Sequence, residues 1–426
     1  MKEKNRSYLN ILFVTWDGPQ TTYLESLFLP IFKWLAEDGF RFHVLQFTWG
    51  DTDRIERTRQ ACAAVGVSYQ AIMVWRRPVA LGSLLTAIKG VLDLRKAIRR
   101  YGIEAVMPRS TLPALTTLLA LRGNPLPFIF DADGLPLDER VDFAGQSPSS
   151  LVYRVLRDIE TQAVQRATVV MTRSNKAIDI LRARAGAGTV REKFHVVGNG
   201  RDANLFNPKD VNTRDQLRQQ LGLAESTPLL VYAGSIGPQY CLGEMLELLT
   251  YVRQRQADSH LLILTASPDS VADALIAHPE LQFAVTTLTV PPADVPVYLA
   301  SADAGLALRR TSFSMQAIAP IKLGEYLLCG LPVVATIGIG DTDALSPATS
   351  FLVERMDSVE LKAAADWFID GVLPQRDILR FTTREIGLSR FSLEACAEAY
   401  MKVFAVVRLA GLTKLTNRSH HPKDGI

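Results

Sequence analysis

Short apolar runs rich in Val, Ile and Phe recur along this chain, each followed by a longer stretch whose apolar residues fall at helical spacing. The strand-like runs of the first half are Ile11–Thr15, Phe42–Phe47, Ser68–Val74, Ala105–Pro108, Phe128–Asp131, Val169–Thr172 and His195–Val197. Helical stretches lie between them, among them Leu24–Glu37, Leu84–Arg100 and Ser150–Arg166. In the first of these, Leu24, Leu27, Phe28, Ile31 and Leu35 mark one face, and Pro30 predicts a kink or a late start. The alternation then begins again, with strands predicted at Leu229–Ala233, Leu261–Thr265, Phe283–Val290, Gly305–Leu308, Val333–Thr336 and Phe351–Val353. Strands alternating with helices imply a parallel sheet covered on both faces. The predicted fold is therefore α/β: two Rossmann-like doubly wound domains facing a central cleft, with a last helix, Leu393–Leu409, free to return to the first domain.

The turn-rich stretch between Asn199 and Pro228 marks the change of domain. The expected division is 1–205, 206–392, a terminal helix over 393–412 and a disordered tail over 413–426. At 426 residues the chain is too long for one ordinary core. Its 47 basic and 44 acidic side chains nearly balance, which gives no reason to expect nucleic acid. Cys62, Cys241, Cys329 and Cys396 lie far apart, without metal or redox spacing, and read as buried thiols of a cytosolic protein. Ile11–Trp16 is too short for a signal peptide, and no apolar run is long enough to span a bilayer. The expected location is the cytoplasm, either free or peripheral on the inner face of the membrane.

The stretch Pro320-Ile321-Lys322-Leu323-Gly324-Glu325-Tyr326-Leu327-Leu328-Cys329-Gly330-Leu331-Pro332-Val333-Val334-Ala335-Thr336 resembles the donor-binding segment of the large retaining family-four type of GT-B glycosyltransferase. Asn199-Gly200-Arg201-Asp202 with Phe206 and Pro208 looks like the segment leading out of that family's first domain. Val231-Tyr232-Ala233-Gly234-Ser235 looks like the opening of its second domain, and Val290 through Ala302-Asp303-Ala304-Gly305 like its base-binding stretch. The resemblance implies a metal-independent hexosyltransferase using a UDP- or GDP-sugar as donor substrate, with no separate cofactor. Gly234, Ser235, Val290, Ala317, Ile318, Pro320, Ile321, Lys322 and Glu325 would meet the donor, the loop amides and helix dipole facing the diphosphate and Glu325 the ribose. Lys322 and Arg309 would neutralise the departing diphosphate. Asp131 and Asp133 would be catalytic or acceptor-side carboxylates, and Asp17, Gly18 and Arg109 would bind a glycan or lipid-linked acceptor.

The chain departs from the family's pattern in three places. Ala317 stands where a first Glu is usual, no Lys follows Gly234-Ser235, and no His sits in an acceptor-side loop. Plainer roles stay open as well: Asp131 and Asp133 as cap or turn residues, Arg109 as a loop cation, Arg309-Arg310 as a surface pair, His195 as a packed strand residue. The basic stretch from Arg76 to Arg100 fits either a solvated helix face or a membrane-surface helix. Other functions also stay open: a nucleotide-sugar epimerase of the same fold, or a degenerate transferase that only binds a nucleotide sugar or a partner. A dehydrogenase fits less well, because Gly234-Ser235-Ile236-Gly237 lacks the third glycine of the dinucleotide fingerprint.

Overall fold

The structure is a computed structural model that describes residues 8–124 and 126–419. It divides into two compact units, residues 1–197 with 396–426, and residues 198–395. The division falls at Val197–Gly198, directly after the last strand of the first unit, and the chain re-enters that unit at Cys396.

Thirteen strands lie among the described residues, and each coincides with a predicted apolar run. In the first unit they are β1 (Leu9–Asp17), β2 (Phe40–Thr48), β3 (Ser68–Met73), β4 (Ala105–Pro108), β5 (Ile129–Asp131), β6 (Val169–Thr172) and β7 (Phe194–Val196). They pair in parallel as β3-β2-β1-β4 and β5-β6-β7. Isolated parallel bridges, Val106 to Phe128 and Arg109 to Asp131, join the two ladders side by side. The order reverses between β1 and β4, the switch point at which open sheets of this kind leave a crevice. Both faces of β1 are buried. Leu12 and Val14 pack with Leu45, Phe47 and Leu94, while Phe13 turns to a layer of rings with Phe28 and Phe32. The returning helix adds Phe404 to the rings of Phe40 and Phe42, which explains why residues so late in the chain belong here.

The second unit carries β8 (Leu229–Ala233), β9 (His260–Leu264), β10 (Val285–Leu288), β11 (Ala304–Ala307), β12 (Val333–Thr336) and β13 (Ser350–Val353). All pair in parallel, in the order β10-β9-β8-β11-β12-β13, with the switch point between β8 and β11. Leu230 and Tyr232 of β8 pack on one side of the sheet, Leu229, Val231 and Ala233 on the other. A strand buried on both faces reads as an unbroken apolar run, and these runs do. One buried polar knot secures the sheet's amino end. Asp303 accepts from Arg214, Arg218 and the Leu229 amide at 3.0, 2.9 and 2.8 Å, and the Arg218 side chain is wholly buried.

The stretch predicted as Leu24–Glu37 is helical but in two pieces, a π-helical turn Leu24–Phe28 and an α-helix Leu29–Ala36 with Pro30 in its first turn. Pro30 falls where the π-helical turn passes into the α-helix: the Leu29 amide still bonds the Leu24 carbonyl, and the proline that follows has no amide to place in the ladder. The tail requires a correction. The backbone is helical from Leu393 to Ser419, so 413–419 extend the terminal helix instead of starting a disordered tail. No proline interrupts that stretch before Pro422. Residues 420–426 of the expected tail lie outside the described residues.

Candidate functional site

The switch point of the second unit brings together the ends of β8 and β11 and the start of the helix Ile321–Leu328. Its construction begins with a tyrosine. The Tyr326 hydroxyl accepts the Ala233 amide at 2.8 Å, which fixes the end of β8. The ring fits only because residue 305 is glycine, since a Cβ there would come within 2.5 Å of it. Beyond Ala233 the chain turns through Gly234 at φ +142°, and a Cβ on Gly234 would sit 3.0 Å from Lys322 Nζ. The Tyr232 hydroxyl donates to the Ser235 carbonyl at 2.5 Å and holds the loop from below.

Lys322 is the unusual residue. Its Nζ lies 3.9 Å from the centre of the Tyr232 ring and 4.8 Å from that of Tyr240. The nitrogen is buried with no hydrogen-bond partner. Burial, seconded by the nearby Arg309 charge, pushes its pKa down to about 7. Arg309 stacks on Tyr240 at 5.0 Å, and its buried Nε likewise has no partner. Two buried cationic donors without acceptors are costly to leave so, and an anion's oxygens would satisfy both.

One turn along the helix, Glu325 lines a separate cavity of about 360 Å3 with Arg201, Gly234, Ser235, Thr265 and Val290. That volume lies in the range of small-molecule sites. Arg201 donates to Glu325. Burial raises the Glu325 pKa, and the Arg201 charge and hydrogen bond oppose that rise. Ala317 is a fully buried methyl in the short turn Ser314–Ala317, so nothing there reaches a ligand. Ile318, Pro320 and Ile321 are half-buried on the approach to the helix, and Pro320 at its N-cap offers no side-chain cap.

In the first unit, Asp17, Arg109 and Asp133 meet at the carboxyl ends of β1, β4 and β5. Arg109 donates to Asp133 at 2.6 Å and lies 3.9 Å from Asp17, with its guanidinium 5.3 Å from the Tyr23 and Phe28 rings. Burial opposes the Arg109 charge, but Asp133, Asp131 and Asp17 hold it firmly protonated. Burial raises the Asp133 pKa despite Arg109, and Asp133 sits in the left-handed region at φ +52°. Asp131 is wholly buried, bonded to Arg173 at 2.8 Å and accepting the Asp133 amide at 3.2 Å. It therefore shapes the turn, while Asp133 and Arg109 end it. Asp17 accepts from Thr15 and Gln46 at 2.8 and 2.9 Å, and the Trp49 ring closes on Gly18. Among the described residues no three His, Cys, Asp or Glu side chains gather as a metal site.

Sequence reasoning missed three contributors. Arg201 was visible only as a letter in Asn199-Gly200-Arg201-Asp202, since nothing local says that it reaches Glu325, 124 positions away. Tyr232 lies inside the β8 run and Tyr240 in the loop after it, with nothing local to show that they form the slot for Lys322.

Comparison with known proteins agrees with this architecture. Residues 26–200 match the glycosyl transferase 4-like domain family. That match lies in the first half, whereas the more specific sequence motifs lie in the second. A D-inositol 3-phosphate glycosyltransferase of Jonesia denitrificans is 30% identical over 205 residues, 46% of this chain and 46% of the relative. The chain thus matches just under half the length of that curated relative. Among solved structures, Alr3699/HepE of Anabaena in complex with UDP and glucose superposes with a TM-score of 0.67 at 18% identity, covering 93% of this chain and 100% of that one. A glycosyltransferase of Rickettsia africae gives a TM-score of 0.70 at 14% identity, with 94% and 99% covered. At such identities the likeness shows the fold.

Proposed function

We propose, from the premise that this chain carries a glycosyl transferase 4-like domain and has the two-unit GT-B fold, that it transfers a sugar from a UDP- or GDP-sugar to a glycan or lipid-linked acceptor with retention of configuration. One observation carries the reading. Lys322 Nζ and Arg309 Nε are buried and without partners, Lys322 lies beside Gly234, and Glu325 lines a nucleoside-sized cavity one helical turn away. The diphosphate takes the two cations and the Gly234-Ser235 loop. The ribose hydroxyls bond Glu325, and the base lies toward Val290 and Thr265. During transfer the bond from the sugar's anomeric carbon to the phosphate oxygen breaks, and charge builds on the diphosphate. Lys322 and Arg309 hold that charge, so the step needs no metal in this reading. The acceptor hydroxyl forms the new glycosidic bond on the same face, and its proton passes to the leaving phosphate oxygen.

On the acceptor side we assign Arg109, Asp133 and Asp17, with Asp131 and Arg173 positioning the turn beneath them. The buried methyl of Ala317 favours one other reading, a protein that binds a nucleotide sugar without transferring it. Glu325→Ala separates these cases. In the transferase, donor turnover and donor affinity should both fall about tenfold or more. A binding-only protein also loses affinity but shows no donor turnover before or after the substitution. Full activity in the variant would refute the ribose assignment.

A further inference from the structure

The helix Val79–Tyr101 and the segment before it turn large apolar side chains outward. Met73, Trp75, Leu81 and Leu92 are 59, 53, 52 and 63% exposed, and Ile88 46%. Leu81, Ile88 and Leu92 fall at i, i+7 and i+11, a single stripe of the helix. The helix is not simply rotated in its seat, because its opposite face is packed. Leu94 and Ala97 are buried there, and a Cβ on Gly90 would come within 2.4 Å of the Phe47 ring. Nor is Trp75 on a loose loop. Its amide donates to Thr86 Oγ1 at 3.1 Å, and its carbonyl lies so close to Gly82 that a Cβ there would approach within 2.3 Å. A pinned backbone holds an indole out toward solvent.

The same segment is strongly cationic. From Arg76 to Arg100 it carries seven basic residues against the single acid Asp93. Past Leu92 the outward stripe continues as Arg99, with Lys89 and Lys96 exposed alongside, while Arg95 turns back to the Ala120 and Leu119 carbonyls at 3.0 and 3.2 Å. We propose that this face docks on an anionic lipid bilayer, with Trp75, Leu81, Ile88 and Leu92 entering the headgroup boundary and Lys89, Lys96 and Arg99 meeting lipid phosphates. Exposed leucines with an indole, continued by cations along one helix face, suit an interface that is apolar beneath and negative above. The contact is peripheral, as no described helix is long and apolar enough to cross a membrane.

The surface runs on to the assigned acceptor residues. Arg76 covers the Trp49 ring at 4.3 Å, and Trp49 in turn closes on Gly18 beside Asp17. The helix also follows the carboxyl end of β3, the end of the sheet at which Asp17 and Arg109 lie. A lipid-linked acceptor would then reach these residues from the bilayer. That last step rests on the transferase reading, whereas the docking itself does not.

Flotation of the full chain with vesicles of equal parts phosphatidylglycerol and phosphatidylcholine tests the surface. The chain should float with these vesicles, far less with phosphatidylcholine alone, and less in high salt. Retention should fall about tenfold or more in the triple variant Trp75→Ser, Leu81→Ser, Leu92→Ser, and in Lys89→Glu, Lys96→Glu, Arg99→Glu. Uridine or guanosine diphosphate binding, measured on the same samples, reports folding and should be unchanged in both variants. The proposal is overturned if the unaltered chain stays unfloated on anionic vesicles, as it would were the face a protein-binding surface, or if both variants float equally well. Flotation without any diphosphate binding would sink the transferase reading and leave the docking surface standing.

Discussion

Lys322 shows how a single side chain couples charge, stability and ligand. Its amine is pushed down to about 7 by burial and by Arg309. Below that pH it is charged whether the chain is folded or not. Between pH about 7 and the ordinary lysine value only the unfolded chain carries the proton, so stability should rise with pH across that window. Lys322→Met should therefore raise the melting temperature by a few degrees at pH 6 and flatten the rise above pH 7, as differential scanning calorimetry would show. A bound diphosphate should have the opposite preference, because it favours the charged amine. Donor or diphosphate binding above pH 7 should then take up a proton and weaken by up to about tenfold per pH unit. Titration calorimetry in two buffers of different ionisation heat measures that proton directly. A pH-independent affinity would remove Lys322 from the phosphate site.

Among the elements, the strand-to-helix turns at the end of β8 show packing and site sharing the same residues. Tyr326 reaches from the helix Ile321–Leu328 across Gly305 of β11 to the Ala233 amide, so the Gly234-Ser235 loop is positioned by a ring that is itself part of the core. Gly305→Ala would drive a methyl into that ring. The expected cost is about 1–3 kcal/mol, seen as a lower urea midpoint with unchanged slope. Diphosphate affinity should drop with it, since the ring can relieve the clash only by letting go of Ala233. A stability loss with affinity intact would mean that Tyr326 does not position the loop. The strands themselves were legible because buried parallel strands are written as unbroken apolar runs, as Val333–Thr336 shows. The roles of the carboxylates were not. Asp131 and Asp133 look equivalent two positions apart, and only Arg173, 42 positions beyond Asp131, decides that one is buried structure and the other ends the turn.

Considered whole, the molecule is two doubly wound units of unlike content, one with Arg109 held by Asp133 and Asp17 at its switch point and one with the buried Lys322 amine, which has no hydrogen-bond partner. A nucleoside diphosphate bound only by the folded second unit should raise the melting temperature, by the equivalent of about 2.7 kcal/mol at a hundredfold excess over its Kd. UDP or GDP should give this shift and nicotinamide dinucleotide should not, and a shift with the dinucleotide alone would overturn the donor assignment. The order of letters was enough to determine the fold class, the thirteen strands and where the loops between them fall, because apolar periodicity and turn residues act over a few positions. Tertiary structure alone decided which of those loops hold unsatisfied charge. The Arg201–Glu325 pair, the two-tyrosine slot around Lys322 and the outward leucines beside Trp75 all depend on burial, which is set by what the rest of the chain places against a residue.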